Sequence, residues 1–392
     1  MKKLKNELLR AKIDKFVPGG QGIATLDSGK KAFVWGVLPG EEVEFETTKN
    51  KASYCEGVVT KVITASPERD TQKDACFLST SPWQNLNYAY ELKAKQELVS
   101  ECFTQQHLDV TVLPTQTDGK EYFYRNKMEY SLYFDHADNL IHLAFHKRGS
   151  HGKIPITQSS IERPEIFARA QTIVDELNAK HEEARKYQSL LLRCNQKGEV
   201  SGDLFENGKP HPIMPNLSDE LLGRKYSYSP NGFFQINLPV YEMVLKEITK
   251  EMDSSPVLDL YAGVGSIGLS VAKEGQSLTL VEVNGAAVEE MRNNAAGRPN
   301  TECILAKSED VTSYITPDHI TILDPPRAGC DKKLIEKLLE IQPKKIIYLS
   351  CNPITQARDV AMLSKVYKYS DAKPFNFFPH TPHIENLITL EK

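Results

Sequence analysis

From about residue 255 onward, short unbroken apolar runs alternate with segments whose apolar positions recur every three or four residues. The runs are Val257 to Tyr261, Leu278 to Val283, Cys303 to Ala306, Ile320 to Leu323 and Ile346 to Leu349. A strand covered on both faces reads as a continuous apolar run, and strands of this kind alternating with helices predict an α/β, doubly wound parallel sheet. The chain before it is patterned differently. Through residue 66, the turn signals Pro18-Gly19-Gly20, Asp27-Ser28-Gly29 and Leu38-Pro39-Gly40 separate short strands, which predicts a small all-β unit. Ala65-Ser66-Pro67 breaks that pattern, and a long helix is expected over about 88–105. Alternating strands such as Tyr130 to Phe134, and a charged helix from about Pro164 to Arg185, predict a central α+β unit. The expected division is therefore 1–66, 67–225 and 226–392, with the helix at 88–105 packing on the last unit, and a length of 392 residues agrees with three cores.

Composition narrows the setting. Hydrophobic residues at 40% and charged residues at 26% support packed globular units. The N-terminus is charged, and no run of about 18 apolar residues occurs, so a soluble chain without export signal or membrane span is expected. Seven cysteines, at 55, 76, 102, 194, 303, 330 and 351, are scattered and never form Cys-x-x-Cys, which suits a reducing cytoplasm. A net charge of −4 argues against nonspecific coating of a polyanion, so any nucleic acid must meet locally basic surface.

The chemistry gathers at strand ends. Asp259-Leu-Tyr-Ala-Gly263-Val-Gly265-Ser266-Ile-Gly268 follows one strand and opens a helix, and Glu282 ends the next strand where an acidic side chain accepts from ribose hydroxyls. The glycine core alone fits a dinucleotide as well as an adenosyl ligand. Asp324-Pro325-Pro326-Arg327 and Ser350-Cys351-Asn352-Pro353 each follow a further strand, and the carboxyl ends of parallel strands face one crevice.

Asn352 suits a helix N-cap and Pro353 the first helical position, so Cys351 is expected beside a helix N-terminus that favours its thiolate. A thiolate can add to C6 of uracil and make C5 nucleophilic toward a methylsulfonium, after which a carboxylate must remove the C5 proton. Glu385, in Pro379-His380-Thr381-Pro382-His383-Ile384-Glu385, is the candidate base. The spacing of His380, His383 and Glu385 matches no common zinc pattern, so no metal is expected. Two rival readings are an amino-group methyltransferase, which usually follows its Asp-Pro-Pro or Asn-Pro-Pro loop with an aromatic residue where Arg327 stands here, and a noncatalytic RNA-binding factor, which would leave Cys351 and Glu385 idle.

Together with Asn231-Gly232-Phe233-Phe234-Gln235-Ile236-Asn237 and Leu258-Asp259-Leu260-Tyr261, these motifs resemble the uridine-5 RNA methyltransferases that modify the T-loop of tRNA or sites in large-subunit ribosomal RNA. The resemblance spans essentially the whole chain. It implies a class I methyltransferase domain using S-adenosylmethionine, held by Gln235, Tyr261, Gly263, Gly265, Ser266, Glu282, Asp310 and Asp324, with Cys351 as nucleophile and Glu385 as base. It also implies an RNA partner for a monomeric cytoplasmic enzyme, an N-terminal OB-like TRAM barrel, and RNA contacts from Arg125, Lys127 and Arg327. Many members of that family hold an iron-sulfur cluster on four central cysteines. Here Cys76 alone matches, so no cluster is expected, and Trp83 with apolar neighbours is expected to fill its place.

Overall fold

The computed structural model describes residues 7–150, 152–181, 186–212 and 216–392; Met1 to Asn6 and the expected helix end at Arg185 lie outside them. The first six strands are β1 (Leu8–Lys12), β2 (Lys15–Phe16), β3 (Gly22–Thr25), β4 (Lys31–Trp35), β5 (Glu42–Asn50) and β6 (Tyr54–Thr64). They form one sheet in the order β1-β5-β6-β4-β3-β2 around a core of their own that includes Ile13, Val34, Val43 and Phe45. Register shifts along the β5–β6 pair mark the bulges that bend a short sheet about its core.

After a single helical turn, α1 (Phe77–Thr80), comes the expected long helix, α2 (Tyr88–Gln105). The Asn87 side chain caps α2 by accepting from the backbone N–H groups of Ala89 and Tyr90. The central sheet runs β12-β11-β10-β7-β8-β9, built from β7 (Lys127–Asp135), β8 (Leu140–His146), β9 (Lys153–Pro155), β10 (Ser189–Cys194), β11 (Val200–Glu206) and β12 (Lys209–Pro212), with α3 (Pro164–Ala179) packed on it.

The expected boundary at 225 falls inside a hairpin, β13 (Leu217–Leu221) and β14 (Arg224–Tyr228). Leu217, Leu221, Tyr226 and Tyr228 bury against the C-terminal sheet's core, and Asn294 both accepts from Ser227 N and gives its backbone oxygen to Arg224. Burial therefore assigns the hairpin to the C-terminal unit, a long-range fact that a local turn signal does not carry.

The C-terminal unit contains α4 (Leu238–Lys250), β15 (Val257–Leu260), α5 (Ser266–Val271), β16 (Leu278–Glu282), α6 (Gly285–Ala295), β17 (Thr301–Leu305), β18 (Ile320–Leu323), α7 (Lys332–Ile341), β19 (Lys345–Ser350), α8 (Pro353–Leu363), β20 (Lys368–Tyr369), β21 (Lys373–Phe375) and β22 (Glu385–Glu391). The sheet order is β17-β16-β15-β18-β19-β22-β20, with β21 pairing β22; β15 to β19 are parallel and β22 is antiparallel to β19. Successive side chains leave a strand on opposite faces, so Val257, Ile322 and Ile347 pack under α4 to α6 while Leu258, Leu323 and Tyr348 pack under α7 and α8. Ala94, Leu98, Val99, Cys102 and Phe103 of α2 share that second face, so α2 serves as a helix of the C-terminal unit.

Trp83 does not fill the space beside Cys76. Its indole N–H donates to Gly20 O at 3.0 Å and its ring packs on Phe16, tying the first sheet to α2. A buried polar network occupies the neighbourhood of Cys76 instead. Gln84 Nε2 donates to Asp74 at 2.8 Å and to Ser81 at 2.7 Å, and Asp74 accepts from both the N–H and the hydroxyl of Ser160. Polar side chains can be buried there because each donor finds an acceptor.

Candidate active site

A cavity of about 1590 Å³ opens at the carboxyl ends of the parallel strands. Tyr261 and Gly263 follow β15, Glu282 ends β16, Asp324 follows β18 and Cys351 follows β19, and all five line it. The loop 231–236 that precedes α4 forms another wall and contributes Gln235. Glu385 arrives from far along the chain. Because β22 is antiparallel to β19, with Ser350 opposite Asn386, its first residue lies at the sheet end where β19 finishes, and that places Glu385 beside Cys351.

The glycine loop is shaped for a ligand. Tyr261, Gly263 and Gly265 all have positive φ. A Cβ at Gly265 would come within 2.9 Å of Leu269 Cδ1, whereas a Cβ at Gly263 would meet nothing within 4 Å. The second glycine is thus required by close helix packing, and the first leaves open space over its backbone. Glu282 braces the turn: Oε2 accepts from Gly263 N at 2.9 Å, and Oε1 accepts from Val283 N and Asn284 N. Below it, buried Asp259 accepts from Gly268 N at 2.8 Å, and burial pushes its carboxyl up to about 8.

Two residues of the expected cofactor set stand elsewhere. Ser266 does not line the cavity; its hydroxyl is hydrogen bonded to Tyr241 at 2.7 Å. Asp310 is exposed and paired with Lys333 at 3.2 Å, while Lys307, Ser308 and Glu309 from the same turn do line the cavity. Gly265 acts through backbone geometry and is also absent from the lining.

The environment of Cys351 reverses the expected thiolate bias. Asn352 does cap α8, accepting from Ile354 N at 3.2 Å. Burial nonetheless raises the Cys351 thiol to about 11, and the carboxylates of Glu385 and Asp324 raise it further, with only Arg327 opposing among neighbouring charges. The helix end is outweighed because desolvation and two nearby anions all penalise the same charged form. The two acids are perturbed likewise. Burial lifts Asp324 to about 7. Glu385, 5% exposed, is held well above the ordinary carboxylate range by burial and then by Asp324.

Arg327 Nη2 donates to His383 Nδ1 at 3.3 Å, and burial together with that guanidinium lowers His383 to about 4, so the imidazole is neutral at pH 7. His380 is buried against Glu91 and Tyr122. The histidines do not assemble with Glu385 into a metal-binding group; among the described residues the one such grouping is Asp135, Asp138 and His142, on the exposed β7–β8 hairpin.

Arg125 and Lys127 both reach the cavity, but Lys127 is committed to the wall opposite it. Its Nζ donates to Asn231 O and Gly232 O at 3.2 and 3.1 Å, and burial followed by repulsion from Arg193 lowers it to about 8. Arg193, opposite Lys127 in the β7–β10 ladder, donates to Phe234 O at 2.9 Å, and Asn126 Nδ2 donates to Gln235 O at 3.2 Å. The central sheet thereby clasps the carbonyls of the loop that carries Gln235. Arg193 escaped the sequence reading, although an arginine interrupting the apolar run Leu190-Leu191-Leu192 was a signal of a buried, specifically used charge.

Comparison with known proteins agrees with this geometry. The family described as tRNA (Uracil-5-)-methyltransferase matches residues 306–392, which contain Asp324, Cys351 and Glu385, and a methyltransferase small domain matches 241–342. An uncharacterized RNA methyltransferase of Bacillus cereus is 30% identical, with 91% of each chain covered, and one from Nanoarchaeum equitans is 29% identical over 97% of this chain and 92% of its own. The crystal structure of Pyrococcus abyssi tRNA (uracil-54, C5)-methyltransferase in complex with S-adenosyl-L-homocysteine superposes with a TM-score of 0.77, covering 97% of this chain and 99% of that one at 23% identity, so the fold is shared over nearly the whole chain, the class I methyltransferase unit included. With this fold, these strand-end residues and relatives of matching length, the chain belongs to the RNA (uracil-5-)-methyltransferase family.

Proposed function

We propose that this protein transfers a methyl group from S-adenosylmethionine to C5 of a uridine in structured tRNA or rRNA, through a covalent bond between Cys351 and C6 of the base. The observation that carries the reading is the convergence of Cys351, Asp324 and Glu385 in one cavity with the glycine loop and Glu282. The residues present fit the cofactor: the open backbone at Gly263, the acceptor Glu282 and the buried acid Asp324 suit an adenosyl ribose and the ammonium and sulfonium groups of the other end. S-adenosylmethionine, when bound, supplies an electrophilic methyl group, and its positive charge opposes the two carboxylates that hold the Cys351 thiol up.

Cys351 gives its thiol proton to solvent and Sγ adds as the thiolate to C6 of the uracil, and the electron pair of the C5–C6 double bond moves toward C5 and O4, which makes C5 nucleophilic. Once C5 carries the methyl group, the Glu385 carboxylate takes the C5 proton, the double bond re-forms and the carbon–sulfur bond breaks, returning the thiolate. A uridine must leave its stack to present C6 to Cys351, and Arg125 and Arg327 around the cavity are assigned to contacts with that RNA, while Lys127 holds the wall formed by Asn231 and Gly232. The N-terminal sheet is assigned to RNA as well, as a TRAM-type module.

The test is covalent trapping with 5-fluorouridine transcripts of tRNA and of large-subunit rRNA fragments, since fluorine at C5 cannot leave as a proton. A denaturant-stable adduct that needs both S-adenosylmethionine and Cys351 is expected. Methylated product from Cys351→Ala at the normal rate would overturn the mechanism, and the transcript that is trapped names the RNA class.

A further inference from the structure

The loop 231–236, which carries Gln235, belongs to no helix or strand, so no regular ladder meets its carbonyls. The central sheet meets them instead. Lys127 Nζ donates to Asn231 O and Gly232 O, and Arg193 Nη2 donates to Phe234 O at 2.9 Å. Asn126 donates twice, from Nδ2 to Gln235 O at 3.2 Å and from its backbone N–H to Ile236 O at 3.1 Å. Three residues at one edge of the central sheet thus hold every carbonyl of the loop except that of Phe233. Gln235 is 7% exposed, and its amide, without a hydrogen-bond partner among the described residues yet not sealed off, is open to the cavity.

Holding the loop with cations works against the fold in two ways. Lys127 and Arg193 stand directly opposite each other in the β7–β10 ladder, where like charges repel. Arg193 is also 1% exposed and has no ion-pair partner among the described residues; it makes one hydrogen bond, to Phe234 O, while Nε and Nη1 make none. The ring of Tyr228, 5.2 Å from the guanidinium carbon, is a partial compensation. A buried charge in that state opposes folding. Asn126 shows that a neutral amide can hold a carbonyl of the same loop without either penalty. What a cation adds is a stronger bond to the carbonyl, and hence a loop fixed more firmly in place.

We infer that Arg193 and Lys127 are positioning residues for the cofactor: the central sheet, through these two cations, sets the loop so that Gln235 meets S-adenosylmethionine. Neither cation touches the cofactor in this arrangement. Arg193 fixes the carbonyl immediately before Gln235, and Lys127 fixes the start of the loop, so the Gln235 side chain leaves a backbone pinned on both sides. A contact held in place before the ligand arrives spares the ordering that binding would otherwise require. The cofactor site is therefore completed by a unit that lies outside the parallel sheet.

This inference rests on the reading that Gln235 holds the cofactor, and a double-mutant cycle tests it. S-adenosylhomocysteine affinity is measured by calorimetry for the wild type, Arg193→Met, Gln235→Ala and the double variant, with urea midpoints recorded alongside. Each single change is expected to weaken binding about tenfold, the scale of one hydrogen bond lost. The double variant should bind within about twofold of Gln235→Ala, because a residue that acts through Gln235 has nothing left to position. Arg193→Lys, which keeps a charged donor for the one carbonyl, should recover most of the affinity. Should Arg193→Met not fold, Lys127→Met enters the same cycle, freeing only Asn231 O and Gly232 O. Losses that add in full, or a Lys variant as weak as the Met variant, would reduce Arg193 to a structural role and overturn the inference. Normal binding by Arg193→Met would overturn it alone, whereas normal binding by Gln235→Ala would overturn the role of Gln235 and the inference with it. A wild type that binds no S-adenosylhomocysteine would instead overturn the cofactor reading of the whole cavity.

Discussion

Glu91 and Lys95 form a fully buried ion pair at 2.8 Å, one turn apart on α2, and both reach across to the segment that leads into β22. Glu91 accepts from His380 N and from Asn376 Nδ2, and Lys95 donates to Asn376 Oδ1 at 2.6 Å and to Phe378 O at 3.1 Å. A helix some 280 residues away in the chain thus fixes the strap that carries His383 and Glu385 to the cavity. Removing one charge strands the other in a dry site, so Lys95→Met is expected to cost about 3–5 kcal/mol. The double change Glu91→Leu with Lys95→Met should recover part of it. Chemical denaturation of the three variants measures this, and equal stability of Lys95→Met and wild type would show that the pair does not hold the strap.

Loss of the two proposed catalytic groups should have distinct signatures. Cys351→Ala is expected to abolish turnover while S-adenosylhomocysteine still binds, because the glycine loop and Glu282 are untouched. Glu385→Gln is expected to form the covalent RNA adduct and release it slowly, seen as a persistent shifted band whose base already carries the transferred methyl group. Normal product release by Glu385→Gln would remove Glu385 as the base.

The protonation of Cys351 can be read directly. With the thiol raised to about 11 by burial, Glu385 and Asp324, the thiolate fraction of the ligand-free protein grows about tenfold per pH unit below that value. Alkylation by iodoacetamide, followed by mass spectrometry at Cys351, should therefore climb from pH 7 to 10 without a plateau. Asp324→Asn removes one anion and should shift the curve to lower pH. A plateau below pH 8 in the wild type would mean that the helix end wins after all.

Asp259 makes stability depend on pH in a stated direction. Its folded value of about 8 lies above the ~3.9 of an unfolded aspartate, so folding favours the neutral form. That contribution is complete below about pH 4 and is lost as pH rises through 8. Asp259→Asn, which can still accept from Gly268 N, should lose less stability than the wild type across this window. Thermal melts at pH 5 and pH 8.5 would show parallel losses if Asp259 were already ionised in the fold.

The network beside Cys76 should behave as a polar core. Asp74→Leu leaves the N–H of Ser160 and the amide of Gln84 without their shared acceptor, for an expected cost of about 1–3 kcal/mol. Cys76→Ala, deleting only a buried thiol from an apolar cluster, should cost less. Urea midpoints for both variants test the order.

The residues that follow strands were legible in the chain itself. Apolar runs with helical spacing between them predicted β15 to β19, and Tyr261, Glu282, Asp324 and Cys351 reach one cavity because the carboxyl ends of parallel strands all face the same way. Tertiary structure decided the rest. Glu385 meets Cys351 only because β22 returns antiparallel, α2 belongs to the C-terminal sheet through burial, and the hairpin 217–228 joins the same core across an expected boundary. Ser266 and Asp310 sit in the right turns but spend their side chains on Tyr241 and Lys333. The thiol of Cys351 follows its buried acidic neighbours and not the adjacent helix end. Periodicity, turns and caps are local and can be read along the chain. Burial, charge neighbours and unmet hydrogen bonds depend on which distant segments the fold brings together.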